Sequence, residues 1–328
     1  MSFPKKPVPF IVLLAATVLV IAAQHGHGHG ALVDHTPKHP SALVPSATTQ
    51  LQYHKGPLLT EPINVYLTWY GAFSPTHKAA VSDFFASFSA PTAPGKPTVS
   101  TWWRTAGGYK DAAGKPVSFA VKLSGQQVSD PGCSLGKSLK RADVVTLVRN
   151  AVAKRLLPSD AGGVYLVLTA SDVAVERFCM GSCGFHGFAP VFPGRAAVVA
   201  HVGDAATQCP GLCAWPFAVP AYGPPGPALV APNGVGVDGV VMNVATVLAG
   251  AATNPMGNGY YQGDALAPLE AVTACPGVFG PGAYPGYPGQ LLVDPSSKAS
   301  FNAYGARGRR FLLPAMWDPP SLTCRASA

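Results

Sequence analysis

The sequence predicts an α/β protein built on a single mixed sheet with helices on its faces. Strand-like and helix-like segments follow one another in the order strand, helix, strand, helix, strand, strand, which is typical of this class. Charged residues make up 12% and hydrophobic residues 48% of the 328 residues, which excludes a disordered polyelectrolyte. The 36 glycines and 34 prolines indicate many turns between short elements rather than a helical bundle.

The first strand and helix have clear patterns. Residues 62–71, PINVYLTWYG, are β-branched and aromatic and end in glycine, which predicts a strand. Ser74 is a favourable N-cap and Pro75 suits the first helical position. The following helix has an apolar face that consists of Val81, Phe84, Phe85 and Phe88.

Further elements follow in the middle of the chain. Residues 116–125 are a second strand candidate, and 139–158 form a helical pattern that Pro158 ends. Residues 162–170 and 195–204 are then predicted as strands, the former covered on both sides because it is almost continuously apolar. The polar face of the helix is interpreted as solvated, with a polyanion site as the alternative, and carries Lys140, Arg141, Arg149, Lys154 and Arg155.

Residues 236–255, GVDGVVMNVATVLAGAATNP, predict one buried helix that Pro255 ends. Asp238 is its expected N-cap, and no titratable side chain follows within it.

The chain after residue 255 is rich in turns, so we expect irregular structure with short strands, pinned by Cys275 and Cys324.

The beginning of the chain has the pattern of a secretory signal. Residues 1–23 combine Lys5 and Lys6 with a short apolar run that ends in small residues. Residues 24–50 are interpreted as a flexible leader and residues 51–328 as the folded domain. Residues 1–23 hold these two lysines and no acid, so their removal lowers the net charge from +8 to +6. The sequence thus predicts secretion, and the charge favours solubility or adhesion to acidic polymers.

Seven cysteines follow the predicted signal, and in an oxidising compartment they are expected to form at most three disulfides and leave one thiol. Their pairing cannot be deduced from the sequence. A zinc knuckle that includes His186 is the less favoured alternative for the two C-x3-C pairs. The disulfide candidates are Cys133, Cys179, Cys183, Cys209, Cys213, Cys275 and Cys324.

Motifs of known chemistry are weak. The chain has no G-x-S-x-G elbow, its GCSLGKS segment is one residue short of a phosphate loop, and no basic aromatic run predicts nucleic-acid binding. A wall polysaccharide hydrolase that uses Asp172, Glu176 or Glu270 remains an alternative. A carbohydrate-binding module is another, with stacking candidates Trp69, Tyr70, Trp102, Trp103 and Trp215.

Long blocks in a fixed order give the chain a family resemblance. INVYLTWYG, WWRTAGGY, LVLTASDVAVERFC, CGFHG, QCPGLCAWPF, APLEAVTACPGVFGPGAYPGYPG and FLLPAMWDPPSLTC resemble the EXORDIUM-like, or phosphate-induced protein 1, family of plants. The resemblance covers roughly residues 45–328. It implies a secreted protein of the cell wall and apoplast that is associated with cell expansion and growth.

The resemblance also implies a site that has lost its function. Broader relatives have a His-Glu-x-x-Glu sequence just before the ATNP segment, like the zinc-binding helix of metallopeptidases. The corresponding residues here are Thr246, Val247 and Gly250, which can supply neither a zinc ligand nor a general base, and Glu270 stands where a third ligand would be. The resemblance therefore implies a zincin-like scaffold with a degenerate site, and we expect no metal, no cofactor and no catalytic residue.

The leading hypothesis is a secreted, non-catalytic protein that acts by binding in the plant cell wall. Its expected partner is a wall polysaccharide or an apoplastic protein or peptide. No nucleic-acid partner is expected, and no membrane contact after signal cleavage.

Overall fold

A seven-stranded mixed sheet lies at the centre of the protein. Its strands follow the spatial order β1 (Leu32–Asp34), β9 (Gly184–Phe192), β10 (Arg195–Gly203), β7 (Val164–Thr169), β3 (Ile63–Tyr70) and β4 (Val121–Leu123), and β5 (Val128–Asp130) also pairs with β3. The computed structural model describes residues 32–34, 50–91, 95–223 and 226–327. The predicted signal at 1–23 and most of the leader at 24–50 lie outside the described residues. Strand β1 belongs to the segment interpreted as leader, and it pairs antiparallel with β9.

Short two-stranded pairs involve β2 (Gln52–Tyr53), β6 (Ser138–Leu139), β8 (Ala174–Val175), β11 (Tyr260–Tyr261), β12 (Leu292–Val293), β13 (Ser300–Phe301), β14 (Ala303–Tyr304), β15 (Arg310–Phe311), β16 (Met316–Asp318) and β17 (Thr323–Arg325). The helices are α1 (Pro75–Ala86), α2 (Val99–Trp103), α3 (Arg141–Ala153), α4 (Pro210–Cys213) and α5 (Val235–Thr253), and single 3-10 turns lie at Ser87–Ser89, Arg104–Gly108 and Ala306–Gly308.

Strands β3, β7 and β10 run parallel, and β9 is antiparallel to β10, so the sheet is mixed as predicted. Because side chains alternate along a strand, each strand contributes to two apolar cores. Helices α1, α2 and α5 cover one face, where they pack on Val65, Leu166 and Ala200. Helix α3 covers the other face, where Val148 packs with residues such as Tyr165 and Val199. The predicted arrangement of helices on both faces is confirmed.

Local signals account for the helix boundaries. Ser74 accepts a hydrogen bond from the backbone N–H of His77 and Pro75 begins α1, as predicted. Helix α5 begins at Val235, after an N-cap at Gly234, so Asp238 is not the N-cap. Gly234 has a φ of 103°, which glycine adopts without strain, and Asp238 therefore lies in the first turn.

Helix α5 is the central element of its core. Its length and apolar composition would suffice to span a membrane, but 78% of its most apolar 18-residue stretch is buried inside the protein. A Cβ atom at Gly184 of β9 would lie 2.9 Å from Cγ2 of Val247, so glycine at this position allows α5 to approach the sheet closely. The predicted buried helix is confirmed.

The part after residue 255 has short strands and turns, as predicted, but it also completes the first core. Phe311, Leu313 and Met316 are fully buried there beside residues of α1 and α5. The disulfide between Cys275 and Cys324, whose Cα atoms are 5.6 Å apart, connects β17 to the segment between β11 and β12. The predicted disulfide in this region is thus confirmed.

Two further disulfides join the segment immediately before β9 to the segment around α4. Cys179 pairs with Cys209 and Cys183 pairs with Cys213, each across 30 residues. Cys133 is the remaining thiol and is buried. The predicted count of three bridges and one thiol is confirmed, and the zinc knuckle is excluded because its four cysteines are oxidised.

Candidate functional site

The polar residues at the C-terminal end of α5 form a closed network inside the first core. Helix α5 ends at Thr253, and its C-cap residue Asn254 is fully buried. Strand β9 places His186 in the antiparallel register opposite Ala200, whose side chain belongs to the α5 face of the sheet. The segment after β11 supplies Glu270, which is 1% exposed. Three distant parts of the chain therefore meet at one point.

Glu270 connects the other two residues. Its Oε2 atom lies 3.1 Å from Nε2 of His186, and its Oε1 atom accepts a hydrogen bond of 2.6 Å from the amide of Asn254. The Oδ1 atom of Asn254 accepts in turn from the N–H of Gly259 at 2.7 Å. Backbone atoms of Glu270 bond to Thr273 and Ala274. Both carboxylate oxygens of Glu270 thus have a partner, and hydrogen bonds hold its backbone as well as its side chain.

The charge of Glu270 also acts on a neighbouring phenol, that of Tyr109. Tyr109 is fully buried and donates a hydrogen bond of 2.6 Å to the carbonyl of Trp317. Burial raises the pKa of Tyr109 well above its usual value, and the negative charges of Asp318 and Glu270 raise it further. Tyr109 therefore stays protonated and acts as a hydrogen-bond donor in the core.

The positions implied by the resemblance lie one or two turns before this network. Thr246 is half-buried and donates to the carbonyl of Met242 at 2.9 Å, while Val247 and Gly250 are buried. Glu270 lies beside the C-terminal end of this helix, where it accepts from Asn254. Since Val247, Gly250 and Glu270 are all buried, the carboxylate is not accessible to a substrate. The described residues contain no group of three or more His, Cys, Asp or Glu side chains that could hold a metal ion.

The acids proposed for a wall hydrolase do not come together. Asp172 forms an exposed ion pair with Lys137, and Glu176 accepts from the backbone N–H of Arg141 at 3.1 Å. These segments border the core on the α3 face, whereas Glu270 lies on the α5 face. The paired carboxylates that glycoside hydrolysis requires are therefore not assembled from these residues.

The aromatic stacking candidates have mostly structural positions. Trp69, Tyr70, Trp102 and Trp103 are at most 1% exposed, so their ring faces are covered by protein. The indole N–H groups of Trp102 and Trp103 donate to the carbonyls of Pro314 and Ser118. Of the five candidates only Trp215 is half-buried, next to Phe279 at a ring distance of 5.9 Å.

The sequence pattern indicated Glu270 but missed its partners. His186 and Asn254 occur in the CGFHG and ATNP blocks, which are separated from Glu270 by 84 and 16 residues. The sequence suggests a role for His186 as a zinc ligand beside cysteines, whereas in the structure the alternation of β9 directs it to the face opposite Phe185. A lone histidine in a glycine-rich segment is the local signal of this network.

The fold and this network define a class: an α/β protein whose disulfide-pinned C-terminal part closes over a polar network at the end of its central helix. A family model described as the phosphate-induced protein 1 conserved region matches residues 51–327. The chain belongs to this phosphate-induced protein 1 family, which includes the EXORDIUM-like proteins.

Three relatives illustrate the similarity. Protein PHOSPHATE-INDUCED 1 of Nicotiana tabacum is 51% identical over 292 residues, which cover 87% of this chain and 90% of that protein. Protein EXORDIUM of Arabidopsis thaliana is 48% identical over 292 residues and covers 85% of this chain and 90% of its own length. Protein EXORDIUM-like 2 of the same plant is 47% identical, with 87% and 92% covered. No solved structure matches the chain significantly.

Proposed function

We propose that this chain is a secreted protein of the plant apoplast and cell wall that promotes cell expansion by binding a partner rather than by catalysis. The signal-like residues 1–23, the three disulfides and the family support secretion, because disulfides persist in oxidising compartments. The growth-promoting part follows from the family resemblance. The partner is a wall polysaccharide or an apoplastic protein or peptide.

One observation carries the non-catalytic part of the proposal. Glu270 is the only carboxylate at the end of α5 that the resemblance places near a metal, and it is engaged by His186 and Asn254 in the core. On a zincin-like scaffold, an active helix would present two ligands and a general base toward solvent at this point. Here Thr246, Val247 and Gly250 take those positions and Glu270 serves the packing of the core.

Metal analysis of the purified protein tests the loss of the site. We expect zinc well below one equivalent, and we expect chelation to leave growth promotion unchanged. Zinc at one equivalent that a chelator removes and added zinc restores, together with the growth effect, would contradict the proposal.

A second experiment tests location. Seedlings that express the full chain are expected to contain it in the extracellular fluid and to elongate more than controls. The matched control lacks residues 1–23 and should stay inside cells without this effect. Equal elongation with both forms would contradict an apoplastic role.

A further inference from the structure

A cavity with a volume of about 280 Å³ opens near the N-terminal end of α5. The turn between β14 and β15 contributes Arg307 and Arg309 to its wall, and Arg310 begins β15. Asn233 precedes α5, and Ser297 lies between β12 and β13. None of the described residues that line it is acidic. Three of its lining side chains are therefore cationic, in a concave space of a size that a small polar ligand group can enter.

Buried carboxylates hold these arginines in place. Asp83 of α1, whose side chain is 6% exposed, pairs with Nη1 of Arg307 and accepts from Nε of Arg309 at 2.9 Å. Asp294, whose side chain is 3% exposed, pairs with Arg310. Hydrogen bonds from Ser296 and Ser297 hold the pKa of Asp294 far below its usual value, so it stays ionised. Side chains fixed in this way lose less entropy when they bind a ligand.

The arginines keep donors for a ligand. A guanidinium group has five N–H donors in a planar fork that matches a carboxylate. The Arg307 side chain is 74% exposed and that of Arg310 is 37% exposed, so both side chains can be reached from solvent. Arg309 is more buried, and its Nη1 atom donates to Asn233 at 2.9 Å. The exposed arginines can thus contact a ligand while Arg309 supports the wall.

The local charge favours an anion. Three guanidinium groups contact two carboxylates, Asp83 and Asp294. Asp238 lies behind Asn233, and burial raises its pKa to about 7, so it is neutral in acid. The positive end of the dipole of α5 lies on the same side, because Asn233 precedes its N-cap residue.

A further cation, Lys96, lies against the same hairpin. Tyr304 pairs with Arg310 across β14 and β15, and Nζ of Lys96 lies 5.3 Å from the centre of the Tyr304 ring. A single small anion would use only the cavity, whereas a chain with repeated negative charges would use Lys96 as well. The arrangement favours a polymer over a monomer.

We propose that the cavity of Arg307, Arg309 and Arg310 binds the carboxylate groups of an acidic polysaccharide, that is, a chain of uronic acid residues. This proposal rests on the polysaccharide partner of the proposed function and assigns its chemical class. Arg307 and Arg310 would contact successive or neighbouring carboxylates. The donors of Asn233 and Ser297 are used inside the protein, so these two side chains would only accept hydrogen bonds from sugar hydroxyls, through the remaining lone pairs of Oδ1 and Oγ.

Calorimetric titration of the purified protein with an oligogalacturonate tests the proposal. The titration is run at about pH 5, where uronates are ionised and Asp238 is protonated. The variant R307Q/R310Q is expected to raise the Kd at least about tenfold, because it removes two charge-assisted contacts. The matched control R195Q removes one exposed arginine at the start of β10 and should leave the Kd within about twofold.

Three additional arms sharpen the result. The fully methyl-esterified oligomer should not bind, and inorganic phosphate at millimolar concentration should not displace the acidic oligomer. The variant R307K/R310K keeps both charges and the ion pairs that stabilise the turn, and should bind several-fold more weakly because lysine lacks the planar fork. Thermal unfolding of every variant verifies that the fold is intact.

Several outcomes overturn the proposal: equal affinity of R307Q/R310Q and wild type, an equal loss in R195Q, wild-type affinity in R307K/R310K, binding of the esterified oligomer, or full displacement by phosphate. Each of these leaves secretion and growth promotion untouched, because the titration uses purified protein. Absence of the chain from the extracellular fluid would instead contradict the proposed function alone.

Discussion

The side chains of His186 and Glu270 meet in the core of the protein, with Nε2 of the histidine 3.1 Å from Oε2 of the glutamate. The histidine comes from β9 and the glutamate from the turn-rich segment after β11, so the contact links the sheet to the C-terminal part of the chain. Asn254 adds the end of α5 to the same network. A carboxylate that the resemblance places near a catalytic metal therefore has a structural role here.

Removal of the Glu270 carboxylate is expected to destabilise the fold. E270A deprives His186 and Asn254 of their shared acceptor in the core and should lower the free energy of unfolding by about 3 kcal/mol. E270Q keeps an oxygen for Asn254 and should cost about 1 kcal/mol. Urea denaturation measures both. The control E61A removes an exposed ion pair with Lys115 and should change stability by less than about 1 kcal/mol. An equal effect of E61A and E270A would contradict this role.

Asp238 should make the protein less stable as the pH rises. Burial raises its pKa from 3.8 to about 7, so its favourable contribution is complete below the unfolded pKa and is lost as the pH rises through about 7. D238N cannot ionise. Its Tm relative to wild type is therefore expected to be higher at about pH 8 than at about pH 4. Thermal unfolding across this range measures the difference, and a constant offset would refute the assignment.

His201 should make the protein less stable as the pH falls, the opposite pH dependence to that of Asp238. It is fully buried, lies 2.9 Å from the hydroxyl of Thr169, and burial together with the charge of Arg141 lowers its pKa from 6.5 to about 3. Its contribution is complete above the unfolded pKa and is lost as the pH falls toward about 3. H201Q keeps a polar group for Thr169 and removes the titration. The Tm of wild type should therefore fall more steeply than that of H201Q between about pH 6 and pH 4. Parallel curves would show that another group titrates.

Periodicity in the sequence predicts most of the sheet and its helices, because β3, α1, α3, β7, β10 and α5 have regular apolar patterns. It misses β9, Gly184–Phe192, which is interrupted by glycines and Pro190. Tertiary pairing with β1 and β10 makes this segment a strand.

The proposed cavity and the Glu270 network depend on contacts between distant residues. Asp83 meets Arg307 and Arg309 across 224 and 226 residues, so the local sequence around the arginines does not reveal a site. The family resemblance marks Glu270 as a possible third ligand, but no local pattern predicts that His186 and Asn254 bind it in the core. Regular apolar patterns thus predict the architecture, whereas the cavity and the Glu270 network form only through tertiary contacts.

The last prediction concerns the two parallel disulfides. Cys179–Cys209 and Cys183–Cys213 close loops of the same length, 30 residues, between the same two segments, and the sulfur atoms of Cys209 and Cys213 lie 3.6 Å apart. Once one bridge is present, the second removes little further entropy from the unfolded chain. Replacement of either pair by serine should therefore cost less than about 1.5 kcal/mol, whereas loss of both should cost about 3 to 4 kcal/mol.

Urea denaturation of the two single-bridge variants and the variant that lacks both measures this non-additivity. The Cys275–Cys324 bridge provides the comparison, because it closes a separate loop of 49 residues that no other disulfide spans. Its replacement by serines should cost about 4 kcal/mol alone. If the two parallel bridges instead contribute equal and additive amounts, each must stabilise the folded state through its own contacts rather than through the unfolded chain.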